Sequence, residues 1–180
     1  MYVREFEIPE GVNVEIDKNK VKVSGQKGEI DRLFKGIFDI KIEKSKGGKK
    51  ITVSSESTER KKKAIVGSII AHIKNMARGV TEGYTAKLKV LYSHFPVTVK
   101  VEGNKILINN FLGEKIPRES KIFGDDTKVE VKGPDITVTG IDIEKVGQTA
   151  ASMEIVTTIK KFDRKVFQDG IYITKKPKAE

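Results

Sequence analysis

The 180-residue sequence predicts an α+β protein built as a tandem duplication, with two similar domains that each pack an antiparallel β-sheet against one α-helix. Three observations predict it. The sequence matches itself at one constant offset. Each copy opens with apolar residues at every second position, the period of a half-buried strand. Each copy then changes to apolar residues about four apart, the period of a helix packed on one face.

At an offset of 85 residues, Val12, Val14, Asn19 and Lys20 fall on Val97, Val99, Asn104 and Lys105. Gly28-Glu29 falls on Gly113-Glu114, Ile37-Phe38 on Ile122-Phe123, Gly48 on Gly133, and Ile51-Thr52-Val53 on Ile136-Thr137-Val138. A fixed period of this kind is the mark of a repeated structural unit.

The elements follow in order. Val12, Val14 and Ile16 lead through Asp17-Lys18-Asn19-Lys20 to Val21 and Val23. Val97, Val99 and Val101 lead through Glu102-Gly103-Asn104-Lys105 to Ile106 and Ile108. Each is a β-hairpin pattern. A second strand pair joins Ile40 and Ile42 to Ile51 and Val53 across Gly47-Gly48. Its counterpart joins Val129 and Val131 to Ile136 and Val138 across Gly133-Pro134. After Thr58, the stripe Ile65, Ile69, Ile73, Ala77 predicts a helix; after Asp142, Val146, Ala150 and Met153 predict another. Asp142 is the expected N-cap. Glu144 near the start and Lys160-Lys161 near the end suit the helix dipole. A last strand closes each unit, at Ala86–Leu91 and Ile171–Thr174. With the junction near Tyr92–Pro96, the expected domains are 1–90 and 91–180.

Composition narrows the function. Hydrophobic residues are 37% of the chain, enough for a packed core. There is no Cys, which excludes disulfides, thiolate nucleophiles and zinc-thiolate sites. No apolar run approaches the roughly 20 residues that span a bilayer, so no membrane partner is expected. Met1-Tyr2-Val3-Arg4-Glu5 lacks the character of a targeting segment. The net charge is +10, which favours a polyanionic partner. It is unevenly placed: residues 1–90 hold 20 basic and 12 acidic side chains, residues 91–159 hold 8 and 10, and residues 160–180 hold 7 and 3.

Catalytic chemistry finds little support. His72 falls mid-helix beside the apolar stripe and His94 falls in the joint between domains, neither with a ligand-spaced partner. Asp125-Asp126 lies in a turn and Asp142/Glu144 at a helix start, where carboxylates serve local ends. Gly25-Gln26-Lys27-Gly28 lacks the spacing of a phosphate loop and reads as an ordinary loop, with a phosphate contact through its backbone and Lys27 as the lesser alternative. No enzyme activity, metal, cofactor or small-molecule substrate is expected.

Two basic segments remain. Arg60-Lys61-Lys62-Lys63 occupies the first turns of helix one, where the dipole disfavours cations. Both a solvated face and a secondary polyanion contact fit it. The stretch from Lys160 to Tyr172, followed by Lys175, Lys176 and Lys178, interleaves cations with Phe162, Phe167 and Tyr172. Its cations suit phosphates, its Gln and Asp suit ribose and base edges, and its aromatic faces suit unpaired bases. Phe162 is expected in the core. Gly170 is expected to supply a turn, with a positive φ or a close backbone approach.

Five segments in order resemble the large-ribosomal-subunit protein six family, in its archaeal and eukaryotic branch. They are Ile8-Pro9-Glu10-Gly11-Val12, Val23-Ser24-Gly25-Gln26-Lys27-Gly28-Glu29, an interdomain segment made of Gly79-Val80-Thr81-Glu82-Gly83-Tyr84, Lys87-Leu88-Lys89 and Tyr92-Ser93-His94-Phe95-Pro96, then Val146-Gly147-Gln148-Thr149-Ala150-Ala151, and Arg164-Lys165-Val166-Phe167-Gln168-Asp169-Gly170-Ile171-Tyr172. The resemblance implies a cytoplasmic structural protein of the large subunit. It implies binding to large-subunit rRNA near the sarcin–ricin region and the base of the factor-binding stalk, beside neighbouring ribosomal proteins. It also implies that the second domain makes the main contacts, through Gln148, Lys160, Lys161, Arg164, Lys165, Gln168, Asp169, Gly170 and Tyr172. Bacterial members carry Pro-Tyr-Lys-Gly-Lys-Gly where this chain has Phe167-Gln168-Asp169-Gly170, so those lysine contacts do not carry over. The net charge favours the first half of the chain, whereas the resemblance favours the second.

Overall fold

The computed structural model describes residues 2–34, 40–45, 50–160, 162–163 and 165–179. Ile37-Phe38, the Gly47-Gly48 turn and two of the basic candidates, Lys161 and Arg164, lie outside them. The chain divides into two compact units, Met1–Gly83 and Tyr84–Glu180.

In the first unit, β1 (Tyr2–Glu7), β6 (Lys50–Ser55) and β5 (Ile40–Lys44) form one antiparallel sheet with β6 central. Strands β2 (Asn13–Asp17), β3 (Lys20–Gly25) and β4 (Gly28–Leu33) form a second. Helix α1 (Arg60–Thr81) packs against both. Val14, Val21, Val23, Ile51 and Val53 point into the shared core with Val66, Ile69, Ile73, Met76 and Val80 of the helix.

The second unit repeats the order. Strands β8 (Thr98–Glu102), β9 (Lys105–Asn109) and β10 (Arg118–Lys121) form a three-stranded sheet. Strands β11 (Lys128–Lys132), β12 (Asp135–Gly140), β7 (Tyr84–Leu91) and β13 (Gly170–Ala179) form a four-stranded one, in that order. Helix α2 (Ile143–Val156) covers it. Asp142 is its N-cap, its carboxylate accepting from Glu144 N–H at 2.9 Å.

The duplication is visible in register. Asn13 pairs with Ser24 and Thr98 with Asn109, positions 85 apart on both strands. In the two hairpin loops Lys18 and Gly103 occupy matching places, and both take a left-handed backbone (φ 51° and 57°). Ile51–Val53 and Ile136–Val138 lie on β6 and β12, each flanked by a strand on either side.

Three expectations need correction. The division falls at Gly83/Tyr84 and not at 90/91, because β7 hydrogen-bonds to β12 and β13 of the second unit. Strand β7 therefore opens the second unit, as β1 opens the first. Ile65 is 40% exposed, and Val66 takes its place in the core. Each step of four residues advances about 40° around a helix, so a stripe drawn at strict fours drifts off the buried face; Val66 lies three residues before Ile69 and stays on it. Finally, α2 ends at Val156, so Lys160 lies beyond the helix and not in its last turn.

Other cations stand at the helix ends. Lys27 donates from its ammonium to the Glu82 carbonyl at the end of α1, and its N–H donates to Val80 O at 2.9 Å. Gly25 permits this docking, since a Cβ there would lie 2.7 Å from Val80 Cγ2 and 2.9 Å from Val80 O. In the second unit Arg118 donates from Nη1 to Val156 O at 2.6 Å and pairs with Glu114 through Nη2 and Nε, at 2.6 and 2.8 Å. A cation beside the last carbonyls of a helix offsets its partial negative charge.

Candidate nucleic-acid interface

The end of α2, the loop after it and the start of β13 are tied together by side chains of the last helical turn and its C-cap, Glu154 and Thr157. The Thr157 hydroxyl accepts the Ile171 N–H at 3.0 Å, and the Glu154 carboxylate accepts the Ile173 N–H at 3.3 Å. Farther along, Gly147 approaches Pro177, where a Cβ would sit 3.4 Å from the proline ring. Helix α2 and β13 therefore run antiparallel, and the expected interface residues are spread along them. Gln148 lies near the far end of β13 with Lys176 and Lys178. Lys160, Lys165 and Gln168 lie near its start.

The loop is folded on itself. The Asp163 carboxylate accepts the Lys165 N–H at 2.9 Å, and the Asp163 carbonyl accepts the N–H groups of Val166 and Phe167 at 3.1 and 2.9 Å. This short turn leaves the Lys165 side chain in solvent. Phe167 then stacks on His94, ring centroids 4.3 Å apart and planes 28° apart, and meets Phe162 at 4.8 Å.

Asp169 holds this arrangement from below. It is 1% exposed. Its Oδ1 accepts from Ser93 N–H at 3.1 Å and from the Ser93 hydroxyl at 3.0 Å, and its Oδ2 accepts from His94 N–H at 3.3 Å. His94 Nδ1 lies 3.2 Å from Oδ1, a pairing that requires the proton on that nitrogen. Burial alone would push the carboxyl up. The bonds from the His94 ring, the Ser93 hydroxyl and the two backbone N–H groups outweigh it and hold the carboxyl below the usual aspartate range.

The sequence placed several of these residues differently. Asp169 was expected to face RNA, but its carboxylate is committed to Ser93 and His94 and serves to position the loop. Phe162 was expected in the core and is 49% exposed. Gly170 was expected to make a turn. It begins β13 without a positive φ, and the Tyr172 ring lies over it, so that a Cβ there would press on the ring at 3.2–3.3 Å. The lysines of the expected tail, Lys175, Lys176 and Lys178, belong to β13, which runs to Ala179. As the outer strand of its sheet it carries Lys and Pro177, residues that discourage further strand pairing. Ser93, His94, Thr157 and Glu154 were not singled out as site residues, because their partners lie up to 76 residues away.

Ion pairs occur in both units: in the second, Lys105, Arg118 and Lys132 pair with Glu119, Glu114 and Glu130. In the first unit Lys20, Lys22, Lys41 and Lys50 pair with Asp31, Glu29, Glu56 and Glu7. Of the basic run there, Arg60, Lys61 and Lys63 are exposed, Lys62 is partly buried, and Lys63 lies 5.5 Å from the centre of the Tyr2 ring. Lys160, Lys165, Lys175, Lys176 and Lys178 are exposed and, among the described residues, none has a carboxylate within ion-pairing distance. The first half holds more net charge even after its acids are counted; what distinguishes the loop and β13 is that their exposed cations stand together without carboxylate partners among the described residues.

Comparison with known proteins matches the chain twice to the family described as ribosomal protein L6, at residues 8–83 and 95–170. Relatives named large ribosomal subunit protein uL6 cover nearly its whole length. The one from Staphylothermus marinus is 55% identical over 171 residues, 94% of this chain and 91% of its own. That from Sulfurisphaera tokodaii is 55% identical over 172 residues, 96% and 91% respectively. That from Methanosarcina mazei is 49% identical over 173 residues, 96% of each chain.

Proposed function

The chain belongs to the ribosomal protein L6 family, and from that premise we propose that it is a structural constituent of the large ribosomal subunit that binds large-subunit rRNA through its second unit. Its place is the ribosome in the cytoplasm, with rRNA and neighbouring ribosomal proteins as partners, and its role is not enzymatic. The observation that carries the RNA-binding reading is the row of unpaired, exposed cations along the loop and β13, set beside exposed Gln148, Gln168 and Tyr172. Lysines in such a row neutralise successive phosphates, and the polar side chains and the ring reach ribose and bases. Asp169 acts through the fold, by holding the loop in place. Arg60–Lys63 form a secondary patch of smaller weight. The family resemblance favours a site near the sarcin–ricin region and the base of the factor-binding stalk.

Washing large subunits in high salt separates this reading from that of a freestanding nucleic-acid-binding protein. The chain is expected to stay with the subunit, because a structural constituent is also held by packing that salt does not screen. Quantitative release into the free fraction at moderate salt would contradict it, since purely electrostatic contacts lose about 10³–10⁵ in affinity between 50 and 200 mM salt.

A further inference from the structure

Beside the start of β13 lies a groove of about 340 Å³, lined by Thr157, Thr158, Phe167, Gln168, Gly170 and Tyr172, with Glu154 at its wall. We propose that this groove receives one unpaired nucleobase of the RNA, stacked against the Tyr172 and Phe167 rings. The inference rests on the RNA-binding reading above and names the part of the RNA that the groove takes.

Both rings are fixed before any ligand arrives. The Tyr172 hydroxyl donates to the Gln168 carbonyl at 3.0 Å, and its ring rests on the bare face of Gly170. Phe167 is backed by His94, which is itself tied to Asp169. A pre-positioned ring loses little freedom on binding. Tyr172 nevertheless remains 40% exposed.

The chemistry of the walls selects a base. A phosphate in the groove would meet the Glu154 carboxylate, whereas a base can donate an amino or imino hydrogen to it. Gln168 adds both a donor and an acceptor at the rim. A paired base keeps its faces inside the helix stack, and an A-form major groove is too deep and narrow for side chains to enter. An unpaired base offers a face. Lys160 and Lys165, exposed on the adjoining loop, supply the charge for its flanking phosphates.

The test uses the full chain and an rRNA hairpin fragment with 2-aminopurine placed in turn at each unpaired position. Binding is expected to change the fluorescence at one of them. Tyr172→Leu, which keeps apolar bulk and removes the π face, is expected to weaken binding roughly 10- to 100-fold, the loss of one base stack, with no change in salt slope. Tyr172→Phe is expected to restore most of the affinity. Retained amide protection at Ile171, whose N–H the Thr157 hydroxyl accepts, shows that the end of α2 still holds the start of β13 in the variants. If Tyr172→Leu binds the fragment as the parent does, the groove is not a base site, although RNA binding stands. If it keeps RNA affinity but no longer enters large subunits, the groove docks a neighbouring protein and the proposal is overturned. If the parent binds no rRNA fragment, the proposal falls together with the RNA-binding reading.

Discussion

Replacing Asp169 with Ala is expected to destabilise the second unit by roughly 3 kcal/mol and to weaken rRNA binding, while leaving the first unit folded. The carboxylate is buried and receives four hydrogen-bonding groups from Ser93 and His94. Its removal leaves those donors facing a void, at about 1–3 kcal/mol for each buried one that finds no new partner. The loss reaches the interface because Asp169 fixes His94, and His94 backs Phe167. Asp169→Asn is the finer probe, since its amide must direct N–H toward a backbone or side-chain donor. Both variants should lose amide protection at Ser93 and His94, and neither should change that of α1. Acid adds a second signature. The carboxyl is held below its ordinary value near 3.8 in the folded protein. The anchor is therefore fully present at neutral pH. It begins to weaken as pH approaches the unfolded value, and it is lost once pH falls through the lower folded one. Asp169→Asn should lack this acid-sensitive component. Unchanged stability and unchanged acid unfolding in both variants would mean that the Asp169 anchor carries no weight.

Changing Lys160, Lys161, Arg164 and Lys165 together to Ala is expected to flatten the salt dependence of rRNA binding. Each phosphate contact contributes about 0.7–0.9 to the log–log slope through counterion release, so four contacts contribute about 3. Across a fourfold rise in salt, that difference amounts to roughly 60-fold in the affinity lost. Since Lys160 and Lys165 are exposed and unpaired, their replacement is not expected to change folding. The same change at Arg60, Lys61, Lys62 and Lys63 is expected to have the smaller effect. Those residues stand at a helix start where the dipole disfavours them, so their removal should also slightly stabilise α1. If the slope stays the same after the first set of changes and falls after the second, the interface belongs to the first unit.

The repeated scaffold was legible because both of its periods are short. Val21 and Val23, and Ile106 and Ile108, alternate within single strands, and the offset of 85 reproduces even the pairing of Asn13 with Ser24 at Thr98 and Asn109. Strands β1, β4 and β10 were missed because each carries few apolar residues at the period of two; β4, Gly28–Leu33, buries no residue fully. The interface was legible as a segment and not residue by residue. Phe162 and Asp169 exchange their expected places, since a loop has no period and its burial is decided by a distant partner, here Ser93 and His94. The length of β13 was hidden for a related reason. Its far half is an outer strand with exposed lysines, and that composition is indistinguishable from a solvated tail.

The central claim is that the second unit meets rRNA along the loop after α2 and along β13. Crosslinking of purified large subunits, followed by peptide mapping of this chain, tests it most directly. The predicted result is RNA-linked peptides that cover Lys160–Tyr172 and the neighbourhood of Lys175–Lys178, with a weaker yield at Gln148 and at Arg60–Lys63. RNA-linked peptides confined to the first unit, with none from Lys160 onward, would contradict it.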